Sequence, residues 1–97
     1  MLSDQILVCR RPEVAWRVID GEAVVVNPKA GMVYPFNPVA TRFWELADGK
    51  HTLSQILQTV KEEFEAPAET IEQDMIAFFE DLEKKGFIIV EEIQAAV

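Results

Sequence analysis

Gly31-Met32-Val33-Tyr34-Pro35-Phe36-Asn37-Pro38 decides the reading of this chain, because the end of a strand and the start of a helix meet within it. Met32, Tyr34 and Phe36 alternate onto one face while Val33 takes the other, which is the period of a strand. Pro35 has no N–H to give to a ladder, so the strand is expected at a sheet edge, with one margin open. Asn37-Pro38 then starts a helix. Asparagine caps free N–H groups, and proline at the first helical position loses nothing by lacking one.

Upstream, Val14–Ile19 and Ala23–Asn27 are rich in β-branched residues and flank Asp20-Gly21, a dipeptide whose positive φ angles suit a two-residue hairpin. Asn27-Pro28-Lys29-Ala30-Gly31 fits a type I turn with Gly31 left-handed, which leads into the strand Met32–Phe36. Downstream, Val39, Ala40, Phe43, Trp44 and Ala47 recur at helical spacing, and Asp48-Gly49 supplies a stop. Thr52-Leu53-Ser54-Gln55 matches a capping box that opens a second helix, with Leu53, Ile56, Leu57, Val60 and Phe64 as its apolar stripe. Ala66-Pro67 interrupts this pattern. A third helix is predicted from Ala68 to Lys85, with Ile71, Met75, Phe78, Phe79 and Leu82 on one stripe, Ile76 widening it, and Gly86 ending it. Phe87–Val90 has the composition of a short last strand, and Glu91–Val97 reads as a loose tail. The predicted fold is α+β: a three-stranded antiparallel β-meander followed by a three-helix bundle, βββααα, winged-helix-like. A single domain over residues 1–97 is expected, with its core at about residues 10–90.

The chain has 97 residues, 49% hydrophobic and 27% charged, and a formal net charge of −8. That composition is globular, and the charge repels polyanions and anionic membranes. One cysteine, Cys9, excludes an internal disulfide, and one histidine, His51, excludes the usual zinc ligand sets. The N-terminus does not resemble a signal peptide, and no apolar run is long enough to span a bilayer. A cytoplasmic location is expected.

Glycine-rich phosphate loops, nucleophile elbows and metal-ligand clusters are all missing from the sequence, so no catalytic residue and no cofactor is expected. Glu69, Glu72, Asp74, Glu80, Asp81 and Glu83 crowd the third helix as a solvated face, and Lys84 and Lys85 at its end complement the helix dipole. The aromatic residues are spread over strands and helices as core material. Tyr34 and Phe36 are the ambiguous pair, because they sit on the expected edge strand.

From Arg10 to Ile89 the chain resembles the PqqD-like family, also known as precursor-peptide recognition elements. Four blocks carry the resemblance in order: Arg11-Pro12-Glu13-Val14-Ala15-Trp16-Arg17, Gly31 to Asn37, Leu46-Ala47-Asp48-Gly49-Lys50-His51-Thr52-Leu53, and Asp74-Met75 with Phe78-Phe79, Leu82 and Gly86-Phe87. The resemblance implies a non-catalytic chaperone of the type that serves PQQ and other peptide-derived products. The leader of a ribosomally made precursor peptide would lie between the third strand and the third helix, adding a strand to the sheet. A separate modifying enzyme, often of the radical-SAM class, would then act on it. Carried over by position, Met32, Val33, Tyr34, Pro35 and Phe36 would line the strand side, and Ile71, Asp74, Met75, Phe78 and Leu82 the helix side. What the resemblance implies agrees with the residue pattern, in which an open edge offers backbone hydrogen bonds and the wide apolar stripe of the third helix offers pockets for alternate side chains.

Two other classes fit the same pattern of elements. A winged-helix DNA reader shares the helix-turn-helix layout, but its recognition helix needs basic residues, and Ala68–Lys85 carries six acids and two terminal lysines. An adaptor could use the open edge for a protein partner and would ignore a leader peptide. Homodimerisation through that edge is left open by the sequence.

Overall fold

The computed structural model describes residues 5–27, 29 and 31–92. The elements are β1 (Ile6–Arg10), β2 (Ala15–Ile19), β3 (Glu22–Asn27), β4 (Met32–Pro35), α1 (Pro38–Leu46), β5 (Asp48–Thr52), α2 (Leu53–Glu63), α3 (Ala68–Lys85) and β6 (Ile88–Glu92). β2, β3 and β4 form the expected antiparallel meander, with β4 at its edge. Asp20 and Gly21 take φ angles of 51° and 80°, so they close the β2–β3 hairpin as a two-residue turn with Ile19 opposite Glu22. Gly31 has a φ of 66°, and its N–H donates to the Asn27 carbonyl at 2.8 Å. Pro28 and Ala30, which belong to the same expected turn, lie outside the described residues.

A second three-stranded sheet, in the order β5-β1-β6, was not expected. Ile6 and Val8 of β1 alternate into the core, and their strand pairs antiparallel with both neighbours. β5 is Asp-Gly-Lys-His-Thr, a composition poor in strand formers. It is a strand because β1 lies beside it, a case of tertiary pairing overriding local preference. Gly49 is therefore part of a strand, and α1 ends earlier than expected, at Leu46. The Arg10 guanidinium takes over the stop: it donates to the carbonyls of Trp44 and Glu45 at 2.7 and 2.8 Å, and lies 4.9 Å from the Trp16 ring centroid. β6 runs on through Glu91 and Glu92, which pair with Leu7 and Ile6, so the expected tail from Glu91 is corrected. Its remainder, residues 93–97, lies outside the described residues.

The helices follow their local signals. The Asn37 side chain accepts from the Ala40 N–H at 2.8 Å, Thr52 and Gln55 form both bonds of the capping box, and Gly86 ends α3 with a φ of 75°. Trp44, Phe43, Phe79 and Phe87 are the largest buried side chains of one core shared by both sheets and all three helices. Thr41 ties α1 to the meander, since its buried Oγ1 accepts the Ala23 N–H at 2.7 Å. No helix among the described residues is long and apolar enough to cross a membrane.

Candidate functional site

Among the described residues β4 has a sheet partner on one side only. The Phe36 N–H donates to the Ala23 carbonyl at 2.8 Å. Backbone groups alternate in direction along an antiparallel strand, so those of Tyr34 and Met32 also face β3, and those of Val33 and Pro35 face outward. Pro35 thus costs its own sheet no bond. The outer margin presents the Val33 N–H, the Val33 carbonyl and the Pro35 carbonyl.

The same alternation turns Tyr34 and Phe36 inward, toward α3. The Tyr34 ring meets Phe87 edge-on at 5.3 Å, and Phe36 meets Phe78 at 5.0 Å and Trp44 at 5.8 Å. Between β4 and α3 lies a hollow of about 280 Å³, walled by Tyr34, Pro35 and Phe36 on one side and by Phe78, Asp81 and Lys85 on the other, with Leu82 in its lining. A second hollow of about 420 Å³ adjoins it under α1, shares Asn37, Ala40, Phe78 and Asp81 with the first, and adds Asp74 and Ala77. Lys85 is ion-paired with Asp81, and its Nζ lies 5.4 Å from the Tyr34 ring centroid.

Most of the sequence-derived residues meet here. Met32 and Val33 are 53% and 58% exposed, Pro35 and Asp74 are also exposed, and Tyr34, Phe36 and Phe78 are half-buried. Ile71 and Met75 do not take part in the lining. At 2% and 1% exposed they are core side chains, and Leu82, although just as buried, reaches the first hollow from below. Helical geometry explains the split: Ile71, Met75, Phe79 and Leu82 share the inner stripe, while Asp74, Phe78, Asp81 and Lys85, at i, i+4, i+7 and i+11, share the stripe facing the groove. Asp81 and Lys85 were missed as site residues because charged side chains on a helix read as a solvated face.

Elsewhere, the Asp48 carboxylate bonds the His51 ring nitrogen and the Lys50 N–H, each at 2.9 Å. Burial opposes the charged form of Asp48, but these hydrogen bonds outweigh it and hold the carboxyl below its ordinary range. The pair fastens β5 ahead of α2. Among the described residues no group of three or more His, Cys, Asp or Glu side chains is placed to hold a metal ion.

The profile of one family, described as Coenzyme PQQ synthesis protein D (PqqD), matches residues 22–88, from β3 to the start of β6. Two solved structures share the fold. One is titled "TbiB1 in Complex with the TbiA(beta) Leader Peptide", with a TM-score of 0.72 and 22% identity over 82% of this chain and 93% of that one. The other is titled "Lasso peptide synthetase B1 complexed with the leader peptide", with a TM-score of 0.72 and 21% identity over 84% and 96%. A search of curated proteins gave no match.

Proposed function

Because the chain belongs to the PqqD family, we propose that it is a peptide-binding chaperone, which holds the leader of a ribosomally made precursor peptide and presents it to a separate modifying enzyme. The observation that carries this reading is the outer margin of β4, unpaired among the described residues, beside the groove of α3. An extended leader adds as a fourth strand, exchanging bonds with Val33 and donating a backbone N–H to the Pro35 carbonyl. Its alternate side chains enter the hollows lined by Tyr34, Phe36, Asp74, Phe78, Asp81 and Lys85. Ile71, Met75 and Leu82 hold the groove wall from inside, and Met32 begins the strand. Two chains of this fold are titled as leader-peptide complexes, which supports the same mode here.

In this reading the chain does no chemistry of its own. The modifying enzyme is of the radical-SAM class, the encounter takes place in the cytoplasm, and residues 1–97 act as one recognition domain. The acidic α3 weighs against a nucleic-acid partner, because it would face phosphates with six carboxylates.

Val33→Pro is the test. It removes the sole outward N–H of β4 and spares every bond to β3, so leader affinity is expected to fall at least about tenfold with little loss of stability. Fluorescently labelled leaders from short reading frames beside the gene, titrated against both forms, measure this. Equal affinity would move the peptide to another surface, and indifference of the wild type to every leader would favour an adaptor.

A further inference from the structure

This chain has only nine basic side chains against seventeen acidic ones, yet three of the nine surround one hollow. Arg11, Lys29 and Lys85 line a space of about 290 Å³ with Asn27, Gly86 and Phe87, and among the described residues Glu13 is the one carboxylate in its walls. The hollow lies at the Met32 end of β4, since Asn27 is the register partner of Met32. It is continuous with the groove, because Lys85 lines both spaces.

Three segments far apart in sequence build it, and backbone bonds fix them. The Arg11 N–H donates to the Phe87 carbonyl at 3.0 Å, the Phe87 N–H to the Leu82 carbonyl at 3.0 Å, and the Gly31 N–H to the Asn27 carbonyl at 2.8 Å. The dipole of α3 accounts for a lysine at position 85, but not for Arg11 and Lys29, which come from two loops. Lys85 is already ion-paired with Asp81 and stands over the Tyr34 ring, so Arg11 and Lys29 are the cations that a ligand would engage. Arg11 meets Glu13 only at 3.8 Å with both side chains about half exposed, a geometry worth little in water.

We propose that this hollow seats a carboxylate of the bound leader, an Asp or Glu at the end of the peptide that leaves the groove past Tyr34 toward the β3–β4 turn. The proposal rests on the leader-binding reading above and sharpens it into a sequence preference. At the rise of an extended strand, the acid falls roughly two to four residues beyond the one paired with Val33. Against a strongly acidic surface, such a seat also fixes the direction in which the peptide lies, since a carboxylate at the opposite end meets Asp74 and Asp81.

Selection of random linear peptides displayed on yeast against the full chain tests this. Enriched peptides are expected to carry an acid at one end of an apolar core. Replacing that acid by its amide should weaken binding about fivefold in the wild type and leave it unchanged in the Arg11→Gln/Lys29→Gln variant, as in a double-mutant cycle. Enriched peptides that lose binding on Val33→Pro but show no acid preference, or whose preference survives in the double variant, overturn the carboxylate seat and leave the leader reading standing. No enrichment, or enrichment indifferent to Val33→Pro, overturns both.

Discussion

Phe78 and Phe79 are neighbours in sequence with opposite duties in this account, so substituting each by alanine separates groove from core. Phe79 is 0% exposed, and removing a fully buried phenylalanine costs about 3–5 kcal/mol. Phe78 is half-buried, meets Phe36 at 5.0 Å and Phe43 at 5.8 Å, and walls both hollows. Its open side has no packing to lose, so Phe78→Ala is expected to cost roughly 2 kcal/mol, made of partial burial and ring contacts. For a domain of this size each kcal/mol lowers Tm by about 4–8 °C. Phe78→Ala should therefore shift Tm by roughly 8–16 °C, and Phe79→Ala by about twice that. Leader affinity should move the other way: Phe78→Ala loses at least about tenfold, as an aromatic anchor does, whereas Phe79→Ala changes affinity little once binding is measured below its Tm. Urea unfolding and peptide titration on both variants give all four numbers. If Phe78→Ala proves as destabilising as Phe79→Ala and binds leader as tightly as the wild type, Phe78 is core and the groove assignment is wrong.

Gly49 has a φ of 80°, and a Cβ there would lie 3.2 Å from the Cys9 sulfur. Gly49→Ala should cost about 2–3 kcal/mol in urea unfolding, against about 1 kcal/mol for Gly21→Ala, which is equally left-handed but meets nothing within 4 Å; equal losses would remove the Cys9 contact from the account. Asp48 is held below its ordinary pKa of 3.8, so its contribution is complete above that value and fades as the pH falls through the lower folded value. Asp48→Asn should accordingly be less stable than the wild type at neutral pH, with the gap closing in strong acid; a gap that persists there would mean that the charge of Asp48 is not what fastens β5.

The sequence carried those parts of the fold that are written in local chemistry. Asp20-Gly21, Asn37-Pro38, the Thr52–Gln55 box and Gly86 each act within a few residues of themselves, and each bounds an element where it was read. β5 was hidden for the opposite reason: Asp48–Thr52 has no strand pattern, and only the approach of β1 makes it one. Glu91 and Glu92 looked like tail because charge and exposure suit both a tail and the outer strand of a sheet. In the groove, Pro35 marked the edge through a missing donor, a property of the residue alone. The helix side was less legible, since a stripe of Ile71, Met75, Phe78 and Leu82 gives no sign of how it is rotated until the neighbouring elements are placed. That rotation turns Ile71 and Met75 inward and brings the charged Asp81 and Lys85 into the lining.

Amide hydrogen exchange at β4 tests the account most directly. In the free chain the Val33 N–H faces outward and should exchange fast, while the Tyr34 N–H, bonded toward β3, should already be protected. Adding a leader peptide should slow Val33 and leave Tyr34 as it was. A Val33 amide that is protected without peptide, or that stays fast when peptide is bound, would contradict strand addition at this margin.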